Sequence, residues 1–143
     1  MKIQKRSSER ARDYERVNDF LWRTYEAPIY PNWLQARWEY MHWHPNLQTE
    51  FLHKIALWED KGEIAAVVNY EDAPSMAHLQ RARGYDLLLS EMAAHVIEHL
   101  AGEHDGKPVV RIWVNEFDQP LTDVVRGLCF SQHPGWRECI SIM

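Results

Sequence analysis

Residues 76–100, MAHLQRARGYDLLLSEMAAHVIEHL, join a short strand pattern to a long helical pattern through a turn with two arginines and a glycine. The strand pattern covers 76–80. In the second half, Leu88, Met92, Val96 and Leu100 recur at the spacing of one helical face. Gly84 lies between the two patterns, where a turn needs backbone angles that other residues avoid. The stretch therefore predicts a strand, a turn around Gly84 and a helix that runs to about residue 100.

Two helices are predicted in the first third of the chain, after a short strand near the amino terminus. Ser7 or Ser8 is the expected cap of the first helix, whose apolar residues recur with helical spacing until two prolines end it. Asn32, followed by Gln35, is typical of a helix start. We expect this second helix to run to His44.

Two continuous apolar runs predict strands that are buried on both faces. They cover residues 63–70 and 109–114, and such strands lie in the interior of a sheet. Asp60-Lys61-Gly62 predicts a hairpin turn before the first of them. The remaining predicted elements are a strand near 54–58, a loop at 102–107, a short helix at 121–128 and a final hairpin with its turn at His133-Pro134-Gly135.

The order of these elements predicts the fold class. Helix-sized crossovers between strands imply some parallel pairing, whereas the hairpins imply antiparallel pairing. We therefore expect one α/β domain over residues 1–143. Its sheet is mixed, mostly antiparallel and twisted, with about six or seven strands and helices on both faces.

Composition excludes several classes of protein. The 143 residues carry a formal net charge of −5, which argues against a nucleic-acid partner because phosphate binding needs clustered cations. No stretch approaches the roughly 20 apolar residues of a membrane span. Cys129 and Cys139 lack the spacing of a metal or redox motif. We expect a cytoplasmic protein without a membrane partner.

The order of elements and two local motifs resemble the GNAT N-acetyltransferase superfamily over nearly the whole chain. That family has an Arg/Gln-x-x-Gly-x-Gly/Ala loop between its fourth strand and third helix, where this chain has residues 81–86, RARGYD. A strand that ends near an Asn and a Gly-Phe before the last hairpin follow in the family. Asn115 and Cys129-Phe130 occupy those places here. The resemblance implies an acetyl-CoA-dependent N-acetyltransferase, with an acceptor amine on a small molecule or peptide.

The resemblance also implies where the co-substrate acetyl-CoA binds. In the family this loop holds the coenzyme A pyrophosphate, since backbone N–H groups at a helix start form an anion site. Glycine permits close approach of the phosphate, and an arginine adds charge-assisted hydrogen bonds. The residues expected to bind the cofactor are Gln80, Arg81, Ala82, Arg83, Gly84, Tyr85, Asp86 and Asn115.

Catalysis in the family usually relies on a carboxylate near the splayed fourth and fifth strands, because the attacking amine must lose a proton. Glu71, His78 and Glu116 are the candidates in this chain. The alternative for each is structural. Carboxylates at strand ends are commonly only solvated, and a histidine within a strand often only packs.

Four departures from the family keep a second interpretation open. Asp86 puts a negative charge where a small residue belongs, and Ser90 is a second possible start of the helix. Val125 stands where the family commonly has a tyrosine as general acid, and Cys129 replaces a glycine. The chain could therefore be a degenerate GNAT-like ligand-binding or structural domain that no longer binds acetyl-CoA. Such a domain could act beside a second GNAT domain or as a homodimer.

Two further patterns favour structure over chemistry. His95, Glu98 and His99 match H-x-x-E-H, but no third ligand is signalled nearby, so we expect an exposed helix edge without metal. The second helix is aromatic, and core packing is favoured there over a border of the acceptor site. Its residues are Trp33, Trp38, Tyr40, His42, Trp43 and His44.

Overall fold

A computed structural model describes residues 2–25, 32–71, 74, 76–132 and the backbone of 138–142. The strands are β1 (Ile3–Ser7), β2 (Ala56–Asp60), β3 (Glu63–Tyr70), β4 (Ala77–Arg81), β5 (Gly102–His104), β6 (Lys107–Trp113), β7 (Ser131–Gln132) and β8 (Glu138–Ile142). The helices are α1 (Arg10–Arg23), α2 (Gln35–Trp43), α3 (Leu89–His99) and α4 (Gln119–Gly127), with 3-10 helices at Thr49–Lys54 and Asp86–Leu88.

One mixed sheet organises these elements. Its strand order is β1-β2-β3-β4-β6-β8-β7, and β5 pairs with β6 outside that path. Only the β4–β6 pair is parallel among the described pairs. Helix α1 packs with α2, and α3 packs with α4. The predicted α/β class, with a mostly antiparallel sheet and helices on both faces, is confirmed. Within the described ranges the sheet has eight strands, of which β5 and β7 are only three and two residues long.

The two apolar runs form interior strands, as predicted. β3 lies between β2 and β4, and each of its residues after Glu63 is buried. β6 lies between β4 and β8. Burial of both faces explains the continuous apolar run of β3, whereas β6 alternates buried and partly exposed residues from Val110 to Trp113.

Two predicted turns are also confirmed. Lys61 and Gly62 have φ values of 54° and 82°, the left-handed pair that a tight hairpin between β2 and β3 requires. Gly84 has a φ of 90° and lies between β4 and the helical run that begins at Asp86. Glycine adopts this angle without the steric penalty that a side chain brings.

The predicted serine cap of α1 is wrong. Ser7 belongs to β1, and α1 begins after Glu9, whose N–H donates to Asp13 Oδ2 at 2.7 Å. Asp13 is fully buried and accepts hydrogen bonds from Arg6 at 2.7 Å and Arg16 at 3.1 Å. Burial alone would raise the pKa of Asp13, but these bonds lower it to about 2. The buried carboxylate of Asp13 therefore binds the backbone N–H of Glu9 at the start of α1, and two partly exposed arginines pair with it.

The predicted start of α2 at Asn32 is also wrong. The helix begins at Gln35 after Leu34, and Asn32 makes no cap. Its side chain instead donates to Trp113 O and accepts from Leu79 N–H, on β6 and β4. Contacts this distant in sequence outweigh the local capping signal.

The predicted loop at 102–107 contains a strand. β5 pairs with the start of β6 in a hairpin, and Asp105 and Gly106 take left-handed φ values of 51° and 76°. The strand expected near 54–58 begins at Ala56, because Thr49–Lys54 forms a 3-10 helix. The prolines expected to end α1, Pro28 and Pro31, and the turn at His133-Pro134-Gly135 lie outside the described residues.

Candidate functional site

A cavity of about 360 Å³ opens at the carboxyl end of β4. Because β4 and β6 are parallel, the turn that follows β6 lies beside the turn that follows β4. The cavity is thus built from the end of α1, the loop after β4 and the start of α4. Its lining residues are Arg23, Thr24, Arg81, Ala82, Arg83, Gly84, Asp86, Phe117, Asp118 and Pro120.

Gly84 gives this cavity an open backbone surface. A Cβ atom built on Gly84 would meet no other atom within 4 Å, and its N–H donates to no other described residue. The helical run starts at Asp86 as a 3-10 turn and continues into α3, so Ser90 lies inside the helix. The positive end of the helical run therefore follows Gly84 directly.

Arg81 is held in a buried ion pair. Its guanidinium donates to both carboxylate oxygens of Asp118 at 2.6 and 3.0 Å, and its Nε donates to Asp86 at 2.8 Å. The side chains of Arg81 and Asp118 are only 8% and 5% exposed. Burial lowers the pKa of Arg81, but the carboxylates raise it above its usual value. Arg81 thus links the loop after β4 to α4, and the carboxylates of Asp118 and Asp86 largely neutralise its charge.

Asp118 performs a second task in the same contact. Its Oδ1 accepts a hydrogen bond from Leu121 N–H at 3.2 Å, and Pro120 stands in the first turn of α4. An aspartate cap followed by a proline is a common helix start. The start of α4 is therefore tied to β4 through one carboxylate.

The cations at the rim of the cavity are Arg23 and Arg83. Arg83 is exposed, while Arg23 donates to Ile64 O at 2.9 Å. Asp86 also lines the cavity with a side chain that is 56% exposed, but Arg81 partly offsets its negative charge. Of the two arginines predicted to form an anion site, Arg83 lies at the rim of the cavity and Arg81 is held in an internal ion pair.

The other predicted cofactor residues have mainly structural contacts. Gln80 is buried, and its Oε1 accepts from Asn32 N–H at 2.7 Å. Ala82 N–H donates to Ala65 O at 2.8 Å. Tyr85 donates its hydroxyl proton to Asp60 Oδ2 at 2.7 Å. Asn115 Oδ1 accepts from the Trp113 indole at 3.0 Å. Of these four, only Ala82 lines the cavity.

Asn32 fills a gap between β4 and β6. The two strands pair at one described register position, Ala77 with Ile112. Beyond it, Asn32 Oδ1 accepts from Leu79 N–H at 2.8 Å and Asn32 Nδ2 donates to Trp113 O at 2.9 Å. One side-chain amide therefore joins the two strands where they separate.

His78, one of the candidate catalytic residues, lies beside this gap. It is 4% exposed and packs against Trp33 at 4.1 Å between ring centroids. Its Nδ1 lies 3.3 Å from the carbonyl oxygen of Asn32. Burial, reinforced by the positive charge of Arg37, lowers the pKa of His78 to about 3. The imidazole is therefore neutral near pH 7 and is suited to hydrogen bonding.

The two candidate carboxylates lie in different places. Because β3 runs antiparallel to β4, Glu71 follows β3 at the end of β4 opposite Arg81, and it accepts two hydrogen bonds from Arg37. Glu116 is exposed in the turn between β6 and α4, next to Phe117 of the cavity wall. Of the three candidate catalytic residues, Glu116 alone is the sequence neighbour of a residue that lines the cavity, Phe117.

Val125 and Cys129, which differ from the residues common in the family, have different structural roles. Val125 is fully buried in α4 and belongs to the core. Cys129 has a φ of 65°, so the backbone keeps the left-handed angle that a glycine would adopt there easily.

The histidine pattern of α3 is partly buried, contrary to expectation. His95 is 7% exposed, with Nε2 2.7 Å from Lys54 O, whereas His99 is half-exposed. Within the described ranges, no group of three or more His, Cys, Asp or Glu side chains could hold a metal ion.

The aromatic residues in and around α2 include both buried and exposed side chains. Trp33, Trp38 and His42 are buried, as the packing interpretation predicts. Tyr40 and Trp43 are exposed, so packing does not account for them.

Comparison with known proteins shows a likeness to solved structures. Neither a protein-family model nor a curated protein matches the chain. Among solved structures, the chain is similar to the crystal structure of the ribosomal-protein-S18-alanine N-acetyltransferase from Escherichia coli. The TM-score is 0.54 at 14% identity, over 99% of this chain and 92% of that chain.

The likeness bears on the fold alone, because identity is low. It extends over nearly the whole chain. No helix in the described part of the chain is long and apolar enough to cross a membrane. The chain has the fold of the GNAT N-acetyltransferases.

Proposed function

We propose that the chain is an acetyl-CoA-dependent N-acetyltransferase that acts on an amine of a small molecule or peptide. The observation that carries the proposal is the environment of Gly84. This residue has a left-handed φ, open space over its Cα and a helical run that starts two residues later. Together these features make a backbone surface that accepts a phosphate group.

The charges around Gly84 support the same ligand. Arg83 and Arg23 line the cavity and supply positive charge for a pyrophosphate. The nearby carboxylates of Asp86 and Asp118 are each engaged by Arg81. The residues present therefore fit an anionic group, and acetyl-CoA would supply the activated acetyl group as a thioester.

Acetyl transfer to an amine also needs a proton acceptor. The acceptor amine must be deprotonated before it attacks. Glu116 is the best-placed candidate, because it precedes Phe117 of the cavity wall, whereas Glu71 lies at the opposite end of β4 and His78 is buried. We propose that Glu116 accepts this proton, directly or through a water molecule.

A second candidate function is favoured by Val125. The family commonly has a tyrosine there as general acid, but this chain has a fully buried side chain without a hydroxyl group. A domain without that proton donor could bind coenzyme A and still transfer no acetyl group. The alternative is thus a degenerate GNAT-like domain that acts as a ligand-binding or structural module.

Calorimetric titration with coenzyme A tests the proposal. Arg83→Ala should weaken binding about tenfold at low salt and less at high salt, because salt screens exposed charges. Arg126→Ala, an exposed arginine of α4 that does not line the cavity, should leave binding unchanged.

Mass spectrometry of amines and peptides incubated with acetyl-CoA then separates the two candidates. Transfer that is lost in Glu116→Gln supports the enzyme. Binding without transfer to any amine favours the degenerate domain. A wild-type protein that binds no coenzyme A rejects the acetyl-CoA-dependent enzyme.

A further inference from the structure

The hairpin between β2 and β3 receives hydrogen bonds from two sides of the cavity. Ile64 O accepts from Arg23, near the end of α1, at 2.9 Å. Asp60 Oδ2 accepts from the hydroxyl of Tyr85 at 2.7 Å. Arg23 lines the cavity, and Tyr85 directly follows Gly84. The hairpin therefore holds the end of α1 and the loop after β4 relative to each other.

Tyr85 anchors the far side of the turn that contains Gly84. On the near side, Ala82 N–H donates to Ala65 O at 2.8 Å. Tyr85 N–H closes the turn by donating to Ala82 O at 3.2 Å, and Gly84 N–H donates to no other described residue. The backbone of the turn is thus joined to β3 before Gly84, and the Tyr85 hydroxyl joins it to β2 after Gly84.

Stability alone does not favour a buried carboxylate at position 60. Asp60 is 7% exposed, and its Oδ1 is buried without a hydrogen-bond partner among the described residues. A buried polar atom without a partner costs free energy. Local features that lower stability are typical of functional sites. The hydrogen bond to Asp60 also raises the pKa of Tyr85, so the phenol keeps its proton and donates at neutral pH.

We propose that Asp60 is a positioning residue for coenzyme A binding, which acts through the Tyr85 hydroxyl to hold the Gly84 turn ready for the pyrophosphate. The inference rests on the proposed function. Among the described residues Asp60 does not line the cavity, so its effect passes through Tyr85. A turn that is already held in its bound geometry binds more tightly, because less conformational freedom is lost on binding.

Calorimetric titration with coenzyme A compares two matched tyrosine variants. Tyr85→Phe removes the hydroxyl that binds Asp60 and should weaken binding about fivefold. Tyr70→Phe is the control, because its hydroxyl also donates at 2.7 Å, to Gln48 O, at the end of β3 away from the hairpin. It should leave the affinity for coenzyme A unchanged.

Two substitutions of Asp60 separate the hydrogen bond from the charge. Both Asp60→Asn and Asp60→Leu remove the negative charge, but only the carboxamide keeps an acceptor for the Tyr85 hydroxyl. Asp60→Leu should therefore bind coenzyme A about fivefold less tightly than Asp60→Asn. Adding Tyr85→Phe to Asp60→Leu should cause no further loss, because both changes break the same contact.

Nuclear magnetic resonance of the ligand-free protein tests the positioning itself. The amide order parameter of Gly84 should fall in Tyr85→Phe and stay unchanged in Tyr70→Phe. Weaker binding with an unchanged order parameter would mean that the hydroxyl acts on the ligand directly, and this result overturns the positioning role.

The outcomes separate the inference from the proposed function. Equal coenzyme A affinity in the wild type and Tyr85→Phe overturns the positioning role and leaves the proposed function standing. A wild-type protein that binds no coenzyme A overturns both.

Discussion

The two halves of β4 provide contrasting environments within five residues. At Arg81 the strand opens onto a charged cavity in which arginines and aspartates meet a left-handed glycine. At His78 and Leu79 it borders a buried gap that Asn32 fills. The backbone turn at the open end comes from consecutive residues of the chain, whereas the gap is filled by a residue 47 positions away.

This difference shows what the fold alone supplies. A strand, a tight turn and a helix start create an anion site wherever the turn has the right backbone angles. A gap between parallel strands becomes a ligand site only if nothing else satisfies its backbone groups. In this chain Gly84 has a left-handed angle before a helical run, and Asn32 satisfies the backbone groups of Leu79 and Trp113 in the gap.

Asp118→Ala should have the largest effect, because it disrupts the charged end. The substitution leaves Arg81 buried without its bidentate partner and removes the cap of α4. Breaking a buried pair typically costs about 3–5 kcal/mol, so we expect at least about 3 kcal/mol less stability in urea unfolding. Asp123→Ala, on the exposed part of α4, should change stability by no more than about 0.5 kcal/mol. A loss below about 1 kcal/mol for Asp118→Ala would mean that the pair does not organise this end.

His78→Gln should change the pH dependence of stability, because it removes the titratable imidazole from the buried half of β4. The folded protein holds His78 neutral down to about pH 3, whereas the unfolded chain protonates it below about pH 6.5. Between these values the unfolded state binds more protons, so stability falls as pH falls. The contribution is about 1.4 kcal/mol per pH unit.

Urea titrations between pH 4 and 8 provide the measurement. The slope of stability against pH should be shallower in His78→Gln than in the wild type by about one proton. His99→Gln, at a half-exposed position of α3, is the control substitution. Identical slopes for wild type and His78→Gln contradict the neutral, buried histidine.

Asp86→Asn should have the smallest effect, and its size sharpens the description of the charged end. An unpaired carboxylate about 4 Å from a phosphate charge would repel it by about 4 kcal/mol at an effective dielectric constant of 20. Arg81 already binds Asp86, so we expect coenzyme A to bind only about threefold more tightly to Asp86→Asn. A gain above tenfold in calorimetry would show that Arg81 does not offset this charge.

The sequence predicts those features of the fold that arise from neighbouring residues. The apolar runs of β3 and β6 reveal interior strands, and Gly84 between a strand and a helical stripe reveals its turn. The hairpin of β5 and β6 also had a local signal in Asp105-Gly106, but its strand is only three residues long. Short strands carry too few residues for a clear alternating pattern.

The contacts of the candidate site could not be predicted in the same way. Asp118 signals a helix cap in the sequence, but not its pairing with Arg81, which is 37 positions away. Asn32 resembles a helix start and serves instead to join β4 to β6. Arg23 and Thr24 reach the cavity only because α1 ends beside the loop. Such roles depend on packing between distant segments, which residue spacing does not encode.

Thermal and urea unfolding with acetyl-CoA tests the central claim most directly, with glycine variants as matched controls. Gly84→Ala and Gly106→Ala place a methyl group at similar left-handed φ values, 90° and 76°, with nothing else within 4 Å in either case. Acetyl-CoA at ~100 times its dissociation constant should stabilise the wild type and Gly106→Ala by about 2.7 kcal/mol. In Gly84→Ala the stabilisation should fall by at least about 1 kcal/mol, because the methyl group hinders close approach of the phosphate. Equal stabilisation of both variants, or none of the wild type, would contradict the assignment of the coenzyme site to Gly84.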